Sequence, residues 1–158
     1  MGRRIDYLND PDAPKANSIV PSANVAVFDD TGRLLLIRRT DNGNWAMPGG
    51  AMDPGERMAE CAVRETEEET GILCEVTGFI GMYTDPGHVI HYTSDDECRQ
   101  ECSFVFRARA LQREPRPSNE SSQVVWVPPE EAATYPMHPS MAMRVRHALD
   151  PNGTPHLG

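Results

Sequence analysis

Five glutamates fall within the ten residues Glu60 to Glu69 of this 158-residue chain, and their spacing suggests chemistry. Taken as a helix from about Arg57 to Thr70, ended by Gly71 as a left-handed cap, the segment puts Glu65, Glu68 and Glu69 on one face, because positions i, i+3 and i+4 are helix neighbours. Ala59, Ala62, Val63, Thr66 and Thr70 form a different face, small and mostly apolar, suited to packing on a sheet. The acids are therefore expected to point away from the core. Like charges at this spacing repel by about 0.2–0.5 kcal/mol per exposed pair, and Glu68 and Glu69 also lie near the negative end of the helix dipole. A bound divalent cation reverses the sign of both effects, and an all-oxygen cluster selects hard ions such as Mg²⁺ or Mn²⁺ over zinc or copper. The competing reading is a solvated charge run with Arg57 and Arg64 as counterions.

The order of the residues decides between the two. Gly50 is followed after five residues by Glu56, after seven more by Arg64-Glu65, and then by Thr66, Glu67, Glu68-Glu69, Thr70, Gly71 and Ile72. Along its whole length this segment resembles the signature of the Nudix hydrolases; Thr66, where that signature has an aliphatic residue, is the one departure. Thr66 lies on the core face, so it bears on packing more than on chemistry. The resemblance implies an α+β fold, a Nudix-type α/β/α sandwich with a mixed β-sheet and a catalytic helix. It also implies hydrolysis of a phosphoanhydride in a nucleoside diphosphate linked to another moiety, with Mg²⁺ as cofactor and Mn²⁺ as a substitute. Carried over residue by residue, Glu68 and Glu69 match metal ligands, Glu65 a ligand or a neighbour of the attacking water, and Gly49 a carbonyl ligand. Glu56 matches an outer acidic residue of the metal site, and Arg64 a residue that orients the glutamates through ion pairs. Glu56 has a rival structural reading, since Asp53-Pro54-Gly55-Glu56 stands in capping-box order with proline at the first helical position.

Other candidates lie outside the box. Members of this family often carry a general base on a loop before the last strand, and Glu120, six residues before Trp126, is the best match; Glu101, at the start of a strand, is a second candidate for a site role. Trp45, just before Met47-Pro48-Gly49-Gly50, could stack on a base or simply pack. Arg38 and Arg39 point to opposite sides of their strand, and Arg39 is the choice for a phosphate contact. Pro86, fourteen residues beyond Ile72, stands near the place where ADP-sugar hydrolases of the family carry a proline, which points to ADP-ribose or a related nucleotide sugar. A nucleoside triphosphate, oxidised forms included, is the alternative substrate, and a nucleotide sensor on a retired scaffold is a third reading, disfavoured by the intact Glu65, Glu68 and Glu69.

The elements that must hold these residues fit one domain, from about residue 21 to 150. A polar arm, residues 1–20, precedes it and could pair with another subunit as an edge strand, giving a homodimer; a tail, residues 151–158, is expected to be disordered. Ala23 to Phe28 and Arg33 to Arg39 read as a hairpin, Leu73 to Thr84, Glu101 to Leu111 and Gln123 to Val127 as strands, and Asp85 to Gln100 as a polar loop. Pro129-Glu130-Glu131 opens a short helix, and Pro139 to Leu149 is a helix with Met141, Val145 and Leu149 in one stripe. A net charge of −9 argues against a nucleic-acid surface, so a polyanionic, nucleotide-type substrate must be met by cations and a few local arginines. No apolar run long enough to span a membrane occurs, and nothing reads as a secretory signal, so the expected compartment is the cytoplasm. Cys61, Cys74, Cys98 and Cys102 lack metal-like spacing and are expected to be free thiols. The five histidines are scattered, and most are expected to be solvated.

Overall fold

The computed structural model describes residues 2–112 and 114–158. Its elements run, in chain order, β1 (Arg4–Leu8), β2 (Ser18–Ile19), β3 (Ser22–Phe28), β4 (Leu34–Arg39), β5 (Trp45–Ala46), β6 (Gly49–Ala51), α1 (Met58–Thr70), β7 (Cys74–Tyr83), β8 (His88–Tyr92), β9 (Glu97–Gln100), β10 (Ser103–Ala110), β11 (Ser121–Val127), a 3₁₀ segment (Pro129–Thr134), α2 (Pro139–Leu149) and β12 (His156–Leu157). The main sheet has the order β11-β4-β3-β10-β7-β12, with β5 on β4 and β6 on β3. It is mixed, since β10 runs parallel to β3 and antiparallel to β7.

Strands with apolar residues at consecutive positions must be covered on both faces, and β3 and β4 are. Successive side chains point to opposite sides of a sheet. Val25, Val27 and Leu35 thus join Cys61, Ala62 and Ile72 in a core beneath α1. Ala26, Leu34 and Leu36 join Ala132, Val145 and Ala148 in a second core beneath the 3₁₀ segment and α2. This is the α/β/α sandwich, with a helix layer on each side of a mixed sheet.

The β3–β4 hairpin does not stay zipped. Phe28 and Leu34 pair beside the turn, and then β6 pairs with β3 and β5 with β4. Met47 and Pro48 fill the opened fork, where the Val25 N–H donates to the Pro48 carbonyl at 2.9 Å. The fork brings Gly49 and Gly50 up to the last turns of α1.

Three segments depart from the sequence reading. The expected loop 85–100 contains the β8–β9 hairpin, in which the consecutive Val89 and Ile90 are both buried, on opposite faces of the strand. The N-terminal arm pairs with its own chain: β1 lies antiparallel to β8 and β2 parallel to β9, making a second sheet of order β1-β8-β9-β2. The tail, expected to be disordered, returns to the main sheet, where His156 and Leu157 pair with Gly81 and Met82 and His156 stacks on Tyr83 at 4.6 Å between ring centroids. All four cysteines are free, as expected.

Candidate active site

Helix α1 ends as its sequence predicts, at Gly71 with φ 74°. It begins later than the capping-box reading of Asp53 to Glu56 requires: Arg57 is the N-cap and Glu60 stands at the third helical position, its side chain accepting from the Arg57 N–H. Gly55 takes φ 91°, which places it in a turn rather than a helix. Glu56 still accepts the Asp53 N–H at 2.7 Å, so the reciprocal contact survives as a turn contact.

The acids do not all point outward. Glu68 is exposed, but Glu69 is only 5% accessible, and the fork presents glycine where a side chain would crowd the neighbouring Glu65. A Cβ on Gly50 would lie 2.4 Å from the Glu65 carboxyl carbon. On the apolar face, Cys61, Ala62, Thr66 and Thr70 are buried, whereas Ala59 is exposed, a correction to the face assigned from the sequence. Glu69 Oε1 accepts the Gly49 N–H at 3.4 Å, and Ser121 Oγ donates to the Glu69 carbonyl, tying the end of α1 to the start of β11. Burial, then repulsion from Glu65 and Glu120, pushes the Glu69 carboxyl up to about 8. Burial also raises Glu65, against the pull of Arg64 and with the help of Glu68 and Glu120. A buried carboxyl crowded by other carboxylates keeps its proton unless a positive charge compensates it, and the donors are all hard oxygens. Hard oxygens of this kind suit a divalent cation such as Mg²⁺ better than a soft metal.

Arg64 organises this cluster from the side. It donates to Glu56 through Nε at 3.0 Å and Nη2 at 2.7 Å, to Glu65 at 2.9 Å, to Glu68 at 3.2 Å and to the Ala51 carbonyl at 3.1 Å. Both oxygens of Glu56 are thereby occupied, and Arg64, then the Asp53 N–H, holds its carboxyl down at about 2. Glu56 accordingly stands behind Arg64 rather than within the acid cluster.

Glu69 borders a cavity of about 640 Å³, counting space open to solvent, which Gly49, Gly50 and Arg39 also line. Residues 19–148 match the model of the NUDIX domain. This chain is a Nudix hydrolase. It is 36% identical over 154 residues to a MutT-like protein of Streptomyces ambofaciens, covering 96% of this chain and 90% of that one. It is 31% identical over 135 residues to the nucleoside triphosphatase NudI of Salmonella agona, covering 78% and 89% of the two chains. Among solved structures, a NUDIX hydrolase from Nitrosomonas europaea superposes with a TM-score of 0.69 at 19% identity, over 90% of this chain and 80% of that one. Nudix hydrolases are pyrophosphohydrolases that generally use divalent metals, and this chain carries the fold, the box and the acid cluster of that activity.

The candidates outside the box divide. Arg39 faces the cavity, held by Asp41 through contacts of 2.9 and 2.6 Å, while Arg38 turns to the Gly43 carbonyl. Glu120 is exposed just before β11, where its charge acts on Glu65 and Glu69. Glu101 lines the cavity and accepts from Arg144 at 3.2 Å. Trp45 does not line it; its ring lies edge-on to Tyr135 at 4.9 Å and packs on the core beneath α2, which is the packing alternative. Pro86 lies on a different cleft, beside Asn9, Asp10 and Pro11.

Sequence reasoning missed Arg4, Asn24, Tyr92, Arg99 and Arg144, which all line the cavity. Arg144 is 4% accessible and donates to Glu101 and to Ser103 Oγ; the stripe of Met141, Val145 and Leu149 drew attention away from it. It also missed His88, 4% accessible, which stacks on His138 at 5.4 Å with Asp6 alongside. Their ligand atoms and that of Asp6 lie within 4.8 Å of one another, but the two rings are nearly parallel, 15° apart. Their in-plane lone pairs run side by side instead of converging on one ion. No helix among the described residues is long and apolar enough to cross a membrane.

Proposed function

We propose that this Nudix hydrolase is Mg²⁺-dependent and cleaves a nucleoside triphosphate between its first two phosphoryl groups, releasing a nucleoside monophosphate and pyrophosphate. The observation that carries this reading is a single cavity bordered by Glu69 on one side and lined by four guanidinium groups, those of Arg4, Arg39, Arg99 and Arg144, in a chain whose net charge is −9. Arginine forks match phosphoryl oxygens in geometry as well as charge, and so dense a set suits a chain of phosphates better than a neutral sugar. The ADP-ribose reading drew on Pro86, which stands on another cleft. The triphosphatase name of the Salmonella relative supports the same choice.

When bound, Mg²⁺ would neutralise the oxygens of the scissile anhydride and acidify a water for in-line attack. Glu65, Glu68, Glu69 and the Gly49 carbonyl would hold it. Arg64 fixes the rotamers of Glu65 and Glu68 and releases no donor to the substrate. Glu120, exposed and beside Glu65 and Glu69, accepts the proton of the attacking water at its carboxylate. Arg39, braced by Asp41, donates to a phosphoryl oxygen.

Chromatographic product analysis with Mg²⁺ and a panel of common and oxidised triphosphates, ADP-ribose, nucleotide sugars and dinucleotides tests the reading. Pyrophosphate and a nucleoside monophosphate from a triphosphate are expected. AMP and ribose phosphate from ADP-ribose, with triphosphates inert, would return the assignment to a nucleotide-sugar pyrophosphatase.

A further inference from the structure

The small sheet turns charge toward the main sheet where a half-buried sheet ordinarily turns apolar residues. Side chains directly opposite one another in an antiparallel pair share a face, and the face repeats every second residue. The register pairs Arg4 with Tyr92 and Asp6 with Ile90, then Ile90 with Arg99 and Tyr92 with Glu97. Arg4, Asp6, Tyr92, Glu97 and Arg99 therefore lie on one face, with Ile90 among them. Arg4, Tyr92 and Arg99 line the cavity that holds Glu69.

Each of the two arginines is clamped along one edge. Arg4 donates from Nε to Asp6 Oδ1 at 2.8 Å and from Nη2 to Oδ2 at 3.2 Å. Arg99 donates from Nε to Glu97 Oε2 at 3.0 Å and from Nη2 to Oε1 at 2.8 Å, and its Cζ lies 4.7 Å from the centre of the Tyr92 ring. In both, Nη1 makes no hydrogen bond among the described residues. A guanidinium fixed in this way has already lost its rotamer freedom and keeps unused donors, so binding an anion orders little. Asp6 and Glu97 on this face are committed to Arg4 and Arg99, and Glu101, which also lines the cavity, is engaged with Arg144. The wall thus offers an anion unused donors on two immobilised cations.

We propose that Arg4 and Arg99 form a subsite for a phosphoryl group of the substrate beyond the anhydride cleaved at α1, an assignment that rests on the triphosphate reading above for the identity of that group. Two consequences follow. The arm strand β1 lies outside residues 19–148 that match the NUDIX domain, so the site is completed by a segment beyond the matched domain. The subsite also favours substrates whose second moiety is itself phosphorylated, and disfavours those ending in a neutral sugar.

The test is calorimetric titration of the full chain with inorganic tripolyphosphate in EDTA, with AMP as a parallel ligand, for wild type, Arg4→Gln, Arg99→Gln and Asp6→Asn. Arg4→Gln and Arg99→Gln should each weaken tripolyphosphate by about tenfold or more and leave AMP unchanged. Asp6→Asn keeps the Arg4 guanidinium and should weaken it by less than about threefold. Wild-type tripolyphosphate affinity in both arginine variants overturns the subsite, and so does a loss in Asp6→Asn equal to that in Arg4→Gln, which would mark Arg4 as a strut for β1. Should the arginine variants fail to fold, a crystal structure of the wild type with tripolyphosphate decides: phosphate density on the Arg4 and Arg99 guanidiniums supports the subsite, and density elsewhere removes it. Loss of tripolyphosphate binding in an enzyme inert toward triphosphates would leave the subsite standing and reject the substrate reading. Triphosphate turnover with an unchanged KM in both arginine variants would do the reverse.

Discussion

Replacing Glu69 by Gln should make the metal-free protein more stable and the enzyme inactive. The wild-type carboxyl is raised from 4.5 to about 8 by burial and by Glu65 and Glu120. A carboxyl raised on folding keeps its proton in the native state after the unfolded chain has released it. Its contribution is fully present below the unfolded value of 4.5 and is lost progressively as pH climbs to about 8, since the native state binds more protons over that window. Each tenfold change in proton affinity is about 1.4 kcal/mol, so at pH near 8.5 in EDTA the wild type forgoes on the order of 4 kcal/mol, or roughly 8–16 °C in Tm for a domain of this size. Gln has nearly the same shape and no charge at any pH. Thermal unfolding in EDTA should therefore show the two proteins alike near pH 5 and Glu69→Gln melting higher near pH 8.5. Adding Mg²⁺ should raise the wild type at the higher pH and leave Glu69→Gln unmoved, while turnover in the variant falls by roughly a hundredfold or more, the scale expected when a group that stabilises developing charge is lost. Coincident melting curves near pH 8.5 in EDTA would refute the claim that burial and crowding hold this carboxyl protonated, and with it the electrostatic argument for a cation at this position.

Three further outcomes are expected. Gly50→Ala puts a Cβ 2.4 Å from the Glu65 carboxyl carbon; because the obstacle is the end of a flexible side chain, stability should change by less than about 1 kcal/mol while kcat drops, and an unchanged kcat would show that the placement of Glu65 is not needed. Glu120→Gln should lower kcat by roughly 10²–10⁴-fold, the range for loss of a general base, and leave the Mg²⁺ dependence alone; an unchanged kcat would put the base elsewhere. Pro86→Ala should leave kcat/KM unchanged for every substrate, since Pro86 lies on another cleft, and a selective loss toward ADP-ribose would restore the nucleotide-sugar reading.

The box was legible because its chemistry is local. A helix fixes which residues share a face, so Glu65, Glu68 and Glu69 could be grouped from spacing alone, and Gly71 announced the end of α1 through a backbone conformation that other residues adopt at a cost. Helix α2 runs from Pro139 to Leu149, the bounds read from its proline and its stripe. What spacing could not convey was depth. Glu69 is buried beside Gly49, whose N–H it accepts, and Gly50 leaves room for Glu65; both glycines are brought in by the fork between β3 and β4, which the helix's own spacing does not reveal. The same limit explains the cavity wall. Arg4, Arg99 and Arg144 come from an arm, a hairpin and a helix separated by some 45 to 95 residues, and each looks like an ordinary surface cation in its own segment. Local periodicity determines which residues of one element lie together; only sheet register and layer packing determine which elements face each other across a site.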